Sequence, residues 1–166
     1  MFLSSLGSSD SRFKSLEFTS GLNILVADRT ESSAQGDSRN SVGKTSFIKI
    51  MRYVMGGDLP PEFKAPELAS HSFYVKLVLP SPDGAAEEEV TVTRPVSPTT
   101  RVQISGWSVV TERQPIPVEE WRALQAEHLF RIPDDTARPT PGQLWGQLVR
   151  TFFGTPTKVY QVEADW

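Results

Sequence analysis

The strongest constraint on this chain lies where two apolar segments flank a long polar one. Residues 22–27 (LNILVA) are nearly all apolar and rich in branched side chains, the pattern of a strand covered on both faces. Residues 28–43 have no apolar period and are rich in Ser, Asp, Asn and Gly, which reads as a loop. Residues 44–55 (KTSFIKIMRYVM) then place Phe47, Ile48, Met51, Val54 and Met55 on one stripe at helical spacing. Gly56-Gly57 supplies the stop. Gly43-Lys44-Thr45 stands at the loop–helix junction, so the order is strand, polar loop, Gly-Lys-Thr, helix.

That order is the setting of a phosphate-binding loop, GxxxxGK[ST]. Here the segment is Ser38-Arg39-Asn40-Ser41-Val42-Gly43-Lys44-Thr45, followed by Ser46; the last three positions of the pattern fit, and Ser38 stands where the first Gly belongs. Successive backbone N–H groups in such a loop curl into an anion-binding concavity. The helix start adds about half an elementary positive charge aimed at the same point. Gly43 lets the backbone approach a phosphate without a Cβ in the way. Lys44 is the compact cation for the β and γ phosphates, and the Thr45 hydroxyl is the candidate Mg²⁺ ligand. Ser38 is harmless if its position does not need φ > 0 and straining if it does. The competing reading is that Lys44 and Thr45 merely begin a solvated helix.

The rest of the chain reads as strands and short helices. Residues 15–18 form a strand that meets the 22–28 strand across Thr19-Ser20-Gly21. Residues 58–72 hold Pro60, Pro61 and Pro66 and read as a loop. Residues 73–79, 89–94 and 101–105 follow as strands of an antiparallel meander, with Val90 and Val92 alternating with Thr91 and Thr93. Residues 118–128 and 141–153 read as helices, the second with Thr140 as N-cap and Pro141 at its first position. The 166 residues suit about one domain. With no Cys and only His71 and His128, a disulfide framework and a Cys- or His-rich metal site are excluded. No apolar run reaches the ~18 residues of a membrane span. The opening MFLSSLGSSDSR lacks the basic and apolar regions of a secretory signal, so a cytoplasmic setting without membrane contact is expected. Residues 1–52 hold seven Lys/Arg against five Asp/Glu, whereas the remainder holds ten against fifteen. This mild asymmetry is compatible with an anion site near the start.

Phe18, then Gly21-Leu22-Asn23-Ile24-Leu25-Val26, Asp28-Arg29, and Asp37-Ser38-Arg39-Asn40-Ser41-Val42-Gly43-Lys44-Thr45-Ser46-Phe47-Ile48 resemble the opening of SMC-like ATPases of the ABC class. The closer likeness is to a prokaryotic branch with GDR after the strand and DSRNGVGKS in the loop. Val118-Glu119-Glu120-Trp121, Leu129-Phe130 and residues 144–153 resemble the same branch. The resemblance implies an α+β fold: the N-terminal lobe of an ATPase head, with a mixed sheet bearing the phosphate loop and its helix (residues 1–57), an antiparallel β subdomain (58–115), and a helical segment (116–166) leading toward a coiled coil. It implies binding of ATP and Mg²⁺ by residues 38–46, with Lys44 catalytic. Its implied partners are a C-terminal lobe of the same head or a partner chain, a second head paired on ATP, and DNA through the full assembly, in repair or in defence against mobile DNA. The sequence has no apolar strand ending in Asp-Glu, no LSGGQ-like stretch and no long heptads. The resemblance therefore makes this chain a fragment or one half of a two-chain head, inactive alone. Gln143, Gln147 and Gln161 are the candidates for a Q-loop residue, none in a convincing context.

Asp28-Arg29 either orients the loop or simply turns a strand end. Arg39 and Asn40 lie inside the loop, either to touch phosphate or sugar or simply exposed to solvent. Arg12 and Lys14 are either near an adenine or exposed cations. The Glu87-Glu88-Glu89 run reads as a solvated hairpin tip rather than paired catalytic carboxylates. Trp107, Trp121, Trp145 and Trp166 are too spread to form a base-stacking platform and read as packing residues. Two other classes remain open: a stand-alone phosphate-loop enzyme, although no Asn-Lys-x-Asp guanine reader is present, and a non-enzymatic interaction module whose loop is degenerate.

Overall fold

A computed structural model describes residues 1–21, 23, 24, 44–110, 114–132 and 141–148. Its centre is the run Ser72–Pro80 (β3) and Glu87–Pro95 (β4). Phe73, Val75, Leu77 and Leu79 alternate with half-buried Tyr74, Lys76 and Val78. Val90 and Val92 do the same in β4. Period-2 burial of branched and long apolar residues is what commits these segments to one covered sheet face. The two strands pair from Ser72 opposite Pro95 to Pro80 opposite Glu87. Residues 81–86 close the hairpin: Gly84, at φ +72°, donates its N–H to the Ser81 carbonyl, and the Asp83 carboxylate accepts from the Ala85 N–H. The Glu87–Glu89 run starts the outgoing strand at this tip, with Glu87 and Glu89 exposed.

Phe2–Ser8 (β1) pairs with the other edge of β3, and the short Leu16–Glu17 (β2) pairs with β1. Arg101–Ser105 (β5) follows β4, and Ile116–Pro117 (β6) ends the sheet. The order is β2-β1-β3-β4-β5-β6, and every pairing is antiparallel. Lys44–Val54 (α1) packs on β3 and β4. Val118–Leu124 (α2) packs against β5 and β6 and continues as a π-helical turn, Gln125–Leu129. Pro141–Leu148 (α3) lies against α1. Leu6, Ile50, Tyr53, Val54, Val75, Leu77, Val90, Val92, Val102, Ile104, Trp107 and Trp121 make one core between the helices and one sheet face. Each full-sized apolar side chain hidden there contributes roughly 1.5–3 kcal/mol.

This overturns the expected mixed-sheet P-loop head lobe. Strands expected in two different sheets, β2 and the meander, lie in one sheet joined through β1, and the described residues contain no parallel pair. The fold is a mostly-β, antiparallel layer with short helices on one face. The reason lies in β1, whose sequence FLSSLGS reads as a polar start. A bulge at Ser4 shifts the register, so that Leu3 faces Leu77 and Leu6 faces Val75. The two leucines share a face although they are three apart, which hides a strand from any period-2 search. With β1 in place, β3 has partners on both sides and the meander cannot be a separate unit. The expected strand at 22–28 falls mostly on residues outside those described.

Candidate functional site

Helix α1 is built to be held at its far end. Ile50, Met51, Tyr53, Val54 and Met55 are buried, whereas Ser46, Phe47, Ile48 and Lys49 are half-buried. The buried stripe is wider than the sequence suggests, because the helix has the sheet on one side and α2 and α3 on another. Its end is a Schellman motif: the Gly57 N–H reaches the Arg52 carbonyl at 2.8 Å, and the Gly56 N–H, at φ +101°, reaches the Tyr53 carbonyl at 3.0 Å.

The carbonyls of this helix end accept from side chains elsewhere, Tyr53 O in addition to its bond from the Gly56 N–H. Arg94 donates to Tyr53 O and, at 2.6 Å, to Gly57 O. The Trp121 indole donates to Val54 O at 3.2 Å, the Gln125 amide to Met55 O at 3.1 Å, and Arg122 Nε to Gly56 O at 2.8 Å. Five successive carbonyls are thus clamped by β4 and α2. Two of the donors are cations at the negative end of the helix, the favourable sign. Arg94 also donates Nε and Nη2 to Thr99 O and lies 4.0 Å over the Tyr53 ring. Burial holds its guanidinium below the usual arginine range and pushes the Tyr53 phenol up.

The opposite end of α1 begins at Lys44, with no acidic residue in its first turn. The first four N–H groups of a helix have no partner within it, and the first turn itself carries no carboxylate. Phe47 packs on Phe18, 5.5 Å between ring centroids, which brings this end of the helix beside the exit of β2. There the Asn23 amide closes a turn: its Oδ1 accepts the Thr19 N–H at 3.1 Å, and its Nδ2 donates to Thr19 O at 2.7 Å and Gly21 O at 3.2 Å.

Of the sequence-derived site, Lys44, Thr45 and Ser46 form the first turn of α1. Ser38, Arg39, Asn40, Ser41, Val42 and Gly43 lie outside the described residues, as do Asp28 and Arg29. Backbone donors at a helix start whose first turn holds no acidic residue suit the phosphate part of Mg-ATP, so the donors described fit that group. Among the described residues no three His, Asp or Glu gather into a metal site, and no helix is long and apolar enough to cross a membrane.

The other candidates resolve into structure. Arg12 forks onto Asp10, with Nη2 at 2.7 Å and Nε at 3.1 Å from the carboxylate. His71 Nε2 stands 3.3 Å from the same carboxylate. The Arg12 side-chain and backbone hydrogen bonds hold the Asp10 carboxyl far below its usual range. Trp107 and Trp121 meet edge to face in the core, and the His128 ring meets Trp107 the same way. Trp145 is buried. Gln143 and Gln147 are on α3, while Gln161 and Trp166 fall outside the described residues.

Sequence reasoning missed the clamp. Arg94 stands in phase with Val90 and Val92, and Gln125 stands four residues after Trp121. A polar residue at a buried phase of a strand or helix is the signal that finds such groups. No family model matches the chain, and no curated protein is similar enough to it to count as a relative.

Proposed function

We propose that this chain binds Mg-ATP at the amino end of α1 through residues 38–46. The observation that carries the reading is that Lys44 and Thr45 begin α1, a helix whose first turn holds no acidic residue and whose far end is fixed. The reading does not lean on a parallel sheet. Helix-end amides and a lysine act over a few ångströms, whatever sheet lies behind them.

Within it, the backbone amides at the start of α1 orient the phosphates, Lys44 offsets their charge, and Thr45 holds Mg²⁺. Mg²⁺, where bound, would supply neutralisation of the phosphate charge. Hydrolysis also needs a carboxylate to position water. In this reading that group comes from a second lobe or a partner chain, with two heads pairing on ATP, as in the SMC-like ATPases that the sequence resembles. A role in DNA repair or in defence against mobile DNA, in the cytoplasm, rests on the same resemblance. The test is calorimetric titration of the chain with Mg-ATP and Mg-GTP. ATP binding that is lost in Lys44→Ala supports the reading. Turnover by the chain alone, with ATP and GTP equal, points to a stand-alone enzyme, and no binding of either nucleotide at millimolar concentration points to an interaction module.

A further inference from the structure

Helix α3 is weak by composition. It has eight residues, PGQLWGQL, with Gly142 and Gly146 among them. Helices below ~12–15 residues are marginal alone, and each interior Gly costs about 1 kcal/mol relative to Ala. Its stability must come from docking. Among the described side chains Pro141 and Trp145 are buried; Trp145, 6% exposed, donates its indole N–H to Gln125 Oε1 at 2.6 Å, and its ring meets Phe130 edge to face at 5.4 Å. Elsewhere α3 does not lie flush on α1. An open cleft of about 330 Å³ lies between the end of α1, the segment after it and α3, lined by Lys49, Arg52 and Met55, by Asp58 and Pro60, and by Gly142 and Trp145.

Gln125 is fully buried, and its Nε2 also holds Met55 O and Trp121 O. One carboxamide thus joins the docking of α3 to the clamp on α1. We propose that α3 is a releasable strap, pegged by Trp145 onto Gln125, that opens the cleft beside α1 without unfolding the sheet. Release leaves Gln125 Oε1 facing the newly opened cleft, where water replaces the indole. The sheet keeps all its pairings, because no strand contributes to the peg. This inference is independent of nucleotide binding.

Amide hydrogen exchange on the full chain tests it. In the wild type, the amides of residues 145–148 should be protected, yet roughly a hundredfold less than those of residues 75–77 in β3. Trp145→Phe keeps a smaller aromatic ring and deletes the donor. It should speed exchange in α3 by about tenfold or more, the scale of one buried hydrogen bond, and leave β3 within about twofold. Should Trp145→Phe not fold, the wild-type comparison decides alone. Equal protection of α3 and β3 would overturn the proposal, since α3 would then open only with the whole domain. Unprotected α3 amides in the wild type would overturn it too, since no docked strap would exist.

Discussion

Among the core side chains, Arg94 holds the most structure together for its size. It is 4% exposed, and among the described residues no carboxylate lies within ion-pair distance; its partners are the carbonyls of Tyr53, Gly57 and Thr99. Replacing both sides of a buried polar contact is often neutral, but here the carbonyls stay behind. Arg94→Met should therefore lower stability by about 2–4 kcal/mol, read as a shift in the urea midpoint at unchanged slope. Asp10 gives the pH counterpart. Its carboxyl is lowered from an ordinary 3.8 by hydrogen bonds from Arg12 and then by the charges of Arg12 and His71. The folded form thus binds the proton less well than the unfolded one. The stabilisation is complete above about pH 4 and fades as pH falls from there toward the folded value. Asp10→Asn should flatten the stability profile below pH 4 and leave its shape above pH 5 unchanged, as followed by denaturation across that range.

At the scale of elements, legibility followed periodicity. β3, β4 and β5 were readable because buried and exposed residues alternate without interruption, and α1 because its stripe and its Gly-Gly stop agree. β1 was hidden by the Ser4 bulge, and the mixed-sheet expectation came from the resemblance, which the single antiparallel sheet overturns. α2 was read as one helix to residue 128, whereas it passes into a π-helical turn at Gln125, where the Phe130 N–H bonds to Gln125 O. The widened turn sets Gln125 in the interior, facing both α1 and Trp145. Gly56 was legible as a stop but not as the seat of the clamp. A Cβ there would lie 3.1 Å from Arg122 Cγ, and its φ of +101° suits only glycine. Gly56→Ala should cost about 1–2 kcal/mol, visible as a lower thermal midpoint.

At the scale of the molecule, one antiparallel sheet with helices on a single face fixes the direction of α1. Its far end is gripped by residues from β4 and α2, and its start lies beside Phe18 and the Asn23 turn. Lys44 of the sequence motif is the first residue of α1, and the proposed nucleotide binding is tested there. What the sequence alone left out is the grip, because its donors are scattered over residues 94–125 and become neighbours only when the sheet forms. A ligand present at 100 times its Kd should add roughly 2.7 kcal/mol to the unfolding free energy. The most direct measurement is therefore thermal unfolding of wild type and Lys44→Ala in Mg-ATP, each against its own ligand-free control. The account predicts a midpoint rise of several degrees in the wild type and none in Lys44→Ala, with the ligand-free midpoints alike. An equal rise in both proteins, or none in the wild type at millimolar Mg-ATP, would contradict it.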